Sequence, residues 1–265
     1  MSVVLQISDT HFGTEQPQVV EALVSLARLQ QPDLLVLSGD ITQRARPAQF
    51  QAARALMDRL GGPFVAIPGN HDIPLFDVWT RIRRPYARHS AAFGAELEPV
   101  HSSTDLMVIC VNTTRAWRHK HGEVSAQQID RVAQLLIQAK PEQLRVVVVH
   151  QPIAVARAED AINLLRGHTA ALQAWAAAGA DFVMGGHIHL PYVIAVNGLA
   201  RPLWAVQAGT AVSARVRAGV PNSVNLLRWG ADVPAGHCQI EQWNYTAAER
   251  AFVRAVVSEV RPART

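Results

Sequence analysis

Short apolar runs alternate with stretches of helical periodicity through the first two thirds of the chain. Residues 2–8 (SVVLQIS), 33–38, 63–68, 106–112, 144–150 and 180–185 are rich in Val, Ile and Leu and predict buried strands. Between them, residues 17–30 set Val20, Leu23, Val24 and Ala27 on one helical face, and 47–60 do the same with Phe50, Ala53, Leu56 and Leu60. Ser125 followed by Gln128 is a capping-box signal opening a third helix, with Ile129, Val132, Leu135 and Leu136 on one side. A fourth helix is predicted over 161–177. From about residue 191 the pattern changes: 191–197, 202–207, 223–229 and 237–244 read as strands, with Asn197-Gly198 as a hairpin turn. Residues 249–260 fit a helix or a strand, and the closing RPART predicts a frayed end. No linker or composition break divides the chain. The expectation is one α/β (α+β) domain over 1–265, two packed mixed β-sheets flanked by helices (an αββα sandwich), with a β-rich C-terminal region.

Composition narrows the function classes. Of 265 residues, 49% are apolar and 17% charged, which excludes a disordered chain. The net charge of +4 suits anionic substrates but is too weak to argue for nucleic acid. Two cysteines, Cys110 and Cys238, show neither metal-type spacing nor a disulfide framework, so a reducing, cytoplasmic setting is expected. The N-terminus lacks the pattern of a signal peptide, and no run approaches the ~20 apolar residues of a membrane span.

The polar residues then fall where the strands end. LQISDTH ends on Asp9 and His11, VLSGD on Asp40, AIPGNHD on Asn70, His71 and Asp72, VVVVH on His150, and VMGGHIH on His187 and His189. Each alone is a turn, a cap or a core histidine. Together, five buried strands finishing on carboxylates, amides or imidazoles point to a shared metal site at one sheet edge. The donors number about eight, too many for one ion with an open position, which favours two divalent ions ~3.5–4 Å apart. Asp40 is the expected bridge, since its loop offers one carboxylate and no other donor. The one-residue spacing in Asp9-x-His11 and His187-x-His189 is expected to turn both side chains to one side of an extended segment. Two divalent ions, balanced by Asp9, Asp40 and a bridging hydroxide, leave a positive centre suited to a small anionic phosphoester.

In order, these residues resemble the calcineurin-like metallophosphoesterase superfamily, whose pattern is D-x-H, G-D, G-N-H-[DE], H and G-H-x-H. GEVSAQQID and AGTAVSARVRAGVPNSVNLL resemble the class III cyclic-nucleotide phosphodiesterase branch. The resemblance implies a double-sheet sandwich, one metal held by Asp9, His11, Asp40 and His189, and another by Asp40, Asn70, His150 and His187. The metals would be Mn, Fe or Zn. His71 would face the phosphate and protonate the leaving oxygen or stabilise its charge, and Asp72 would orient the loop. Gln151 stands where many branch members carry a second histidine. The expected chemistry is phosphodiester hydrolysis by a metal-bridging hydroxide, with 3′,5′-cyclic nucleotides such as cAMP as leading substrates. Glycerophosphodiesters, nucleotide-diphosphate types, phosphomonoesters and nucleic-acid ends are the alternatives. Arg115, Trp117 and Arg215 are candidate substrate contacts. The basic stretches 81–89 and 113–122, and Arg217, are either a substrate rim or solvated faces. His168 is expected at a helix cap or on the surface, and the β-rich end is a candidate homodimer surface.

Overall fold

The computed structural model describes residues 2–230 and 233–263. Two six-stranded sheets face each other. In the first, β1 (Ser2–Ile7), β2 (Leu34–Ser38) and β3 (Phe64–Ile67) run parallel, extended by the antiparallel β10 (Ser223–Trp229), β11 (Cys238–Thr246) and β12 (Ala251–Val260). In the second, β5 (Leu106–Cys110), β6 (Leu144–Val148), β7 (Phe182–Gly185) and β9 (Trp204–Gln207) are parallel. Antiparallel edges are added by β4 (Val100–Ser102) and β8 (Tyr192–Ala195).

Strand alternation explains the layers. In β1, Val4 points between the sheets with Leu34, Val36, Val108, Val146 and Met184, while Val3, Leu5 and Ile7 point outward. The outward set packs under α1 (Pro17–Gln30) and α2 (Pro47–Leu60), burying the Leu23 and Leu56 faces. On the far sheet, Ile109, Val147 and Val183 pack under α5 (Ala126–Ile137) and α6 (His168–Ala177), burying Val132 and Trp175. Both faces of the central strands are therefore covered, which is why they read as unbroken apolar runs. Pro17 and Pro47 occupy first-turn positions, and Ser125 and Gln128 form the expected capping box.

Three local expectations change. The helix over 161–177 is broken: a 3₁₀ turn at Ala158–Asn163 precedes α6, which starts only after Gly167 at φ 87°. The cause is pairing of Leu165 and Arg166 with Pro152, Gly122 and Val124, which pulls this backbone out of helix. His168 is the first residue of α6. Asn197-Gly198 lies in the β8–β9 connection, but Val196 N bonds Leu203 O, so the pair opens a longer loop rather than a two-residue turn. Residues 249–260 resolve as strand β12. The C-terminal strands divide between both sheets, β10 pairing directly with β1. Two short helices, α3 (Val78–Arg83) and α4 (Ala87–Phe93), carry no sequence signal strong enough to predict. Of the RPART tail, Arg264 and Thr265 lie outside the described residues. Both cysteines are buried and neither is in a disulfide among the described residues, and no helix among the described residues is long and apolar enough to cross a membrane.

One core residue carries a pH prediction. His89 of α4 is fully buried beside Phe50 and Phe93, and neither ring nitrogen has a hydrogen-bond partner. Burial pushes its pKa from 6.5 down to about 4. Protonation therefore favours the unfolded chain. Stability is complete above about pH 6.5 and falls as pH drops toward 4, by roughly 3 kcal/mol. In urea titrations of the metal-free protein, His89→Leu should flatten that slope. Parallel profiles for the two proteins would show that His89 does not contribute.

Candidate metal centre

The backbone is strained where the polar residues gather. Among the described residues, eight non-glycine positions have positive φ, and five of them are Asp9 (52°), His11 (40°), Asp40 (47°), His187 (76°) and His189 (55°). Left-handed backbone costs energy for residues with a Cβ and clusters at functional sites. This corrects the reason expected for the one-residue spacing. Asp9-x-His11 and His187-x-His189 are not extended; each donor is aimed by its own left-handed kink.

Hydrogen bonds hold those kinks. Asp9 N donates to Gly39 O (3.0 Å) and His11 N to Asp40 O (3.0 Å), binding the β1 loop to the β2 loop. The Asp72 carboxylate accepts from Ile41 N (3.0 Å), Thr42 N (2.8 Å), Thr42 Oγ1 (2.8 Å) and Gly69 N (2.8 Å), tying the β3 loop to the β2 loop. Burial, with Asp40 nearby, raises its pKa to about 6. Two glycines permit the close approach: a Cβ on Gly69 would overlap Asp40, and one on Gly186 would overlap Ser8 and crowd Asp9.

The side chains converge accordingly. Ligand atoms of Asp9, His11 and His189 lie within 4.8 Å of one another, as do those of His11, Asp40 and His71, and those of Asp40, His150 and His187. Asp40 is common to two of these groups. Asp9 Oδ1 is 3.2 Å from His189 Nε2, and Asp40 Oδ1 is 3.2 Å from His150 Nε2. His150 Nδ1 lies 2.9 Å from Ser38 O, a donation that turns Nε2 toward Asp40 on the other side. Asn70 Oδ1 and both ring nitrogens of His187 are buried without a hydrogen-bond partner. Buried polar atoms are ordinarily satisfied. Unsatisfied oxygen and imidazole donors facing one point fit divalent cations of the borderline class.

The charges form an interlocked set. Burial alone would raise Asp9, but the charge and hydrogen bond of His189 outweigh it and hold the carboxyl at about 2. Asp40 is likewise held well below the carboxylate range, with His150 overcoming burial. Burial opposes protonation of His150, yet Asp40 lifts it to about 9. Burial keeps His11 and His187 neutral, near 3. In the metal-free chain Asp40 thus favours the protonated form of His150 and Asp9 that of His189, and an arriving metal would compete with those protons.

Asp40, Asn70, His71, His187 and His189 line a cleft of about 440 Å³, together with His119, Lys120, Asp160, Asn163, Arg215 and Arg217. Of the candidate substrate contacts, Arg215 reaches the centre. One guanidinium nitrogen lies 3.2 Å from His71 Nε2, 2.9 Å from Gln43 Oε1 and 3.5 Å from His11 Nδ1. Arg115 and Trp117 are not brought there. The Arg115 guanidinium donates to Asn112 O, Thr114 O and Gln128 Oε1, bracing the start of α5 in a separate depression. Trp117 is 75% exposed and does not line the cleft. Arg217 lines it but is ion-paired to Asp160 at 2.9 Å. Gln151 accepts from Thr113 Oγ1 (2.6 Å) behind His150, outside the donor set.

Sequence reasoning missed the floor beneath the centre. Gln6 Nε2 donates to Gly185 O (3.0 Å), Asn225 Nδ2 donates to Gln6 Oε1 (3.0 Å) and Gln207 O (3.1 Å), and Gln207 bonds Gly186 O. This buried network ties the two sheets together directly under the His187 loop. The available signal was a lone amide within each of three apolar strands.

Comparison with known proteins bears on this arrangement. The calcineurin-like phosphoesterase family model matches residues 2–191. The chain is similar to a probable cyclic nucleotide phosphodiesterase of Synechococcus sp., at 28% identity over 62% of this chain and 64% of that protein. It is also similar to a cAMP/cGMP dual specificity phosphodiesterase of Mycobacterium tuberculosis, at 26% identity over 71% of this chain and 61% of the relative. The matched stretch spans less than two thirds of either relative. Among solved structures, a dimetal phosphatase from Danio rerio superposes with a TM-score of 0.71 over 99% of both chains at 13% identity, a likeness of fold.

Proposed function

The chain belongs to the calcineurin-like phosphoesterase family, and from that premise we propose that it is a metal-dependent phosphodiesterase for small phosphodiesters, 3′,5′-cyclic nucleotides such as cAMP foremost. The observation that carries this reading is the sharing of Asp40 between adjacent donor groups on the wall of an open cleft. Asp9, His11, Asp40 and His189 would hold one divalent ion, and Asp40, Asn70, His150 and His187 the other. Once bound, the two ions supply Lewis-acid charge at the phosphoryl oxygens and an activated water.

The remaining roles belong to the chain. His71 Nδ1 donates to Gln43 O (3.0 Å), which fixes the ring and aims Nε2 at the cleft, where the imidazolium form would give a proton to the departing ester oxygen. The Arg215 guanidinium stands beside that nitrogen, where it would bind a phosphoryl oxygen and compensate charge as the bond breaks. Asp72 holds the loop that presents both Asn70 and His71. The substrate class is supported by the names of the two phosphodiesterase relatives, at modest identity.

The test is a substrate panel with the Mn²⁺-loaded protein: bis-p-nitrophenyl phosphate, p-nitrophenyl phosphate, 3′,5′-cAMP, 3′,5′-cGMP, glycerophosphocholine and single-stranded DNA. Turnover of bis-p-nitrophenyl phosphate and a cyclic nucleotide is expected. Failure on every compound would overturn the enzymatic reading, and fast cleavage of another compound beside inert cAMP would overturn the substrate.

A further inference from the structure

Among the described residues, four large exposed apolar side chains fall within residues 76–82. Phe76 (79% exposed), Val78 (59%), Trp79 (68%) and Ile82 (71%) lie in or just before α3, a helix with no buried residue. The segment is nonetheless anchored. Ile73 beneath it is buried, Asp77 accepts from Thr80 N (3.1 Å) and pairs with Arg88 (2.6 Å), and Arg81 donates to Pro74 O (3.1 Å) and Arg118 O (2.8 Å). The second anchor brings in the loop that carries Trp117, also exposed. Ordered, well-tethered backbone thus presents aromatic and aliphatic side chains to solvent, which marks an interaction surface.

Its charge selects the partner. Asp77 is the one acidic residue among 74–84, and Arg88 neutralises it, leaving Arg81, Arg83 and Arg84 uncompensated. Arg83 lies over the Trp79 ring at 4.4 Å and Arg44 over Phe76 at 5.5 Å, so cations flank the apolar side chains. We propose that α3 and its preceding loop dock on an anionic phospholipid surface, the apolar side chains entering the headgroup boundary and the arginines meeting lipid phosphates. That division of labour is the one used by interfacial helices. A second copy of the chain fits poorly, because an isologous contact would set these arginines against themselves. Nucleic acid fits less well than lipid: Phe76 and Trp79 could stack on bases, but Val78 and Ile82 add aliphatic surface that bases and phosphates would leave uncovered. The patch also adjoins the candidate centre: Leu75, Arg81 and His119 share a crevice with Asn70 and His71. Docking would therefore hold the cleft mouth near the bilayer.

The test is co-sedimentation of the full chain with vesicles of phosphatidylglycerol and phosphatidylcholine, and of phosphatidylcholine alone, at low and high salt. Binding to the anionic vesicles only, weakened by salt, is expected. The Trp79→Ser/Ile82→Ser variant should partition at least about tenfold less, and Arg83→Glu/Arg84→Glu should lose the anionic preference, both with unchanged circular dichroism and bis-p-nitrophenyl phosphate turnover. The proposal is overturned by equal binding to both vesicle types, by no binding, or by binding that the two variants leave intact. It is also overturned if the variants instead abolish self-association seen in light scattering, or single-stranded DNA binding seen in a mobility shift.

Discussion

Asp40→Asn is expected to reduce metal content from two ions per chain to fewer than one and to slow diester turnover by roughly 10³-fold or more. Its carboxylate is 2% exposed and, among the described residues, is the only carboxylate common to two donor groups. Asparagine keeps the shape and can still accept from His71 N, now at 2.8 Å, so the loop should persist. What disappears is the buried negative charge. Charge stabilisation by bound metal is worth several kcal/mol, and each 1.4 kcal/mol is tenfold in rate. The change also removes the partner that holds His150 protonated in the metal-free state. Two readouts follow: metal content by mass spectrometry, and the rise in melting temperature on adding Mn²⁺, which reports a stabilisation of about 4 kcal/mol at a thousandfold excess over Kd. Two ions retained at full occupancy, with normal stabilisation by metal, would remove Asp40 from the shared position.

The parts of this fold legible in sequence are those where one residue type dominates the local energetics. Runs dominated by Val, Leu, Ile, Phe and Met became β1, β2, β6 and β7 because burial of those side chains outweighs everything else in the segment. The strand ends were legible for a different reason: each is an ordinary turn or cap alone, but five apolar strands all finishing on Asp, Asn or His point to one shared polar task. Features decided by distant contacts were hidden. The break before α6 depends on Arg166 pairing with a loop forty residues earlier. The placement of Arg115 depends on Gln128, whose amide is already committed to the α5 cap. The left-handed kinks at Asp9, His11, His187 and His189 contradict what one-residue spacing suggests for a strand. They exist because loops from five strands must fit over a single point, which no local pattern encodes. Gln6, Gln207 and Asn225 were visible as lone amides but acquire meaning only once β1, β9 and β10 meet.

His71→Ala should leave two metals bound and slow cyclic-nucleotide hydrolysis by about 10²–10⁴-fold, the span of a lost general acid. The leaving group separates the two roles open to this side chain. The ribose oxygen of cAMP departs as a strongly basic alkoxide and needs a proton, whereas p-nitrophenolate departs without one. If His71 donates that proton, the variant should lose far more activity on cAMP than on bis-p-nitrophenyl phosphate. Equal losses would make its contribution electrostatic, shared with Arg215 at 3.2 Å. A third outcome is concrete in the geometry, because His71 also lies within 4.8 Å of the ligand atoms of His11 and Asp40. Loss of a metal in His71→Ala would move it into the donor set. Its backbone N–H already donates to Asp40, so Ala at this position retains the loop bond, and any loss of metal would be traced to the ring.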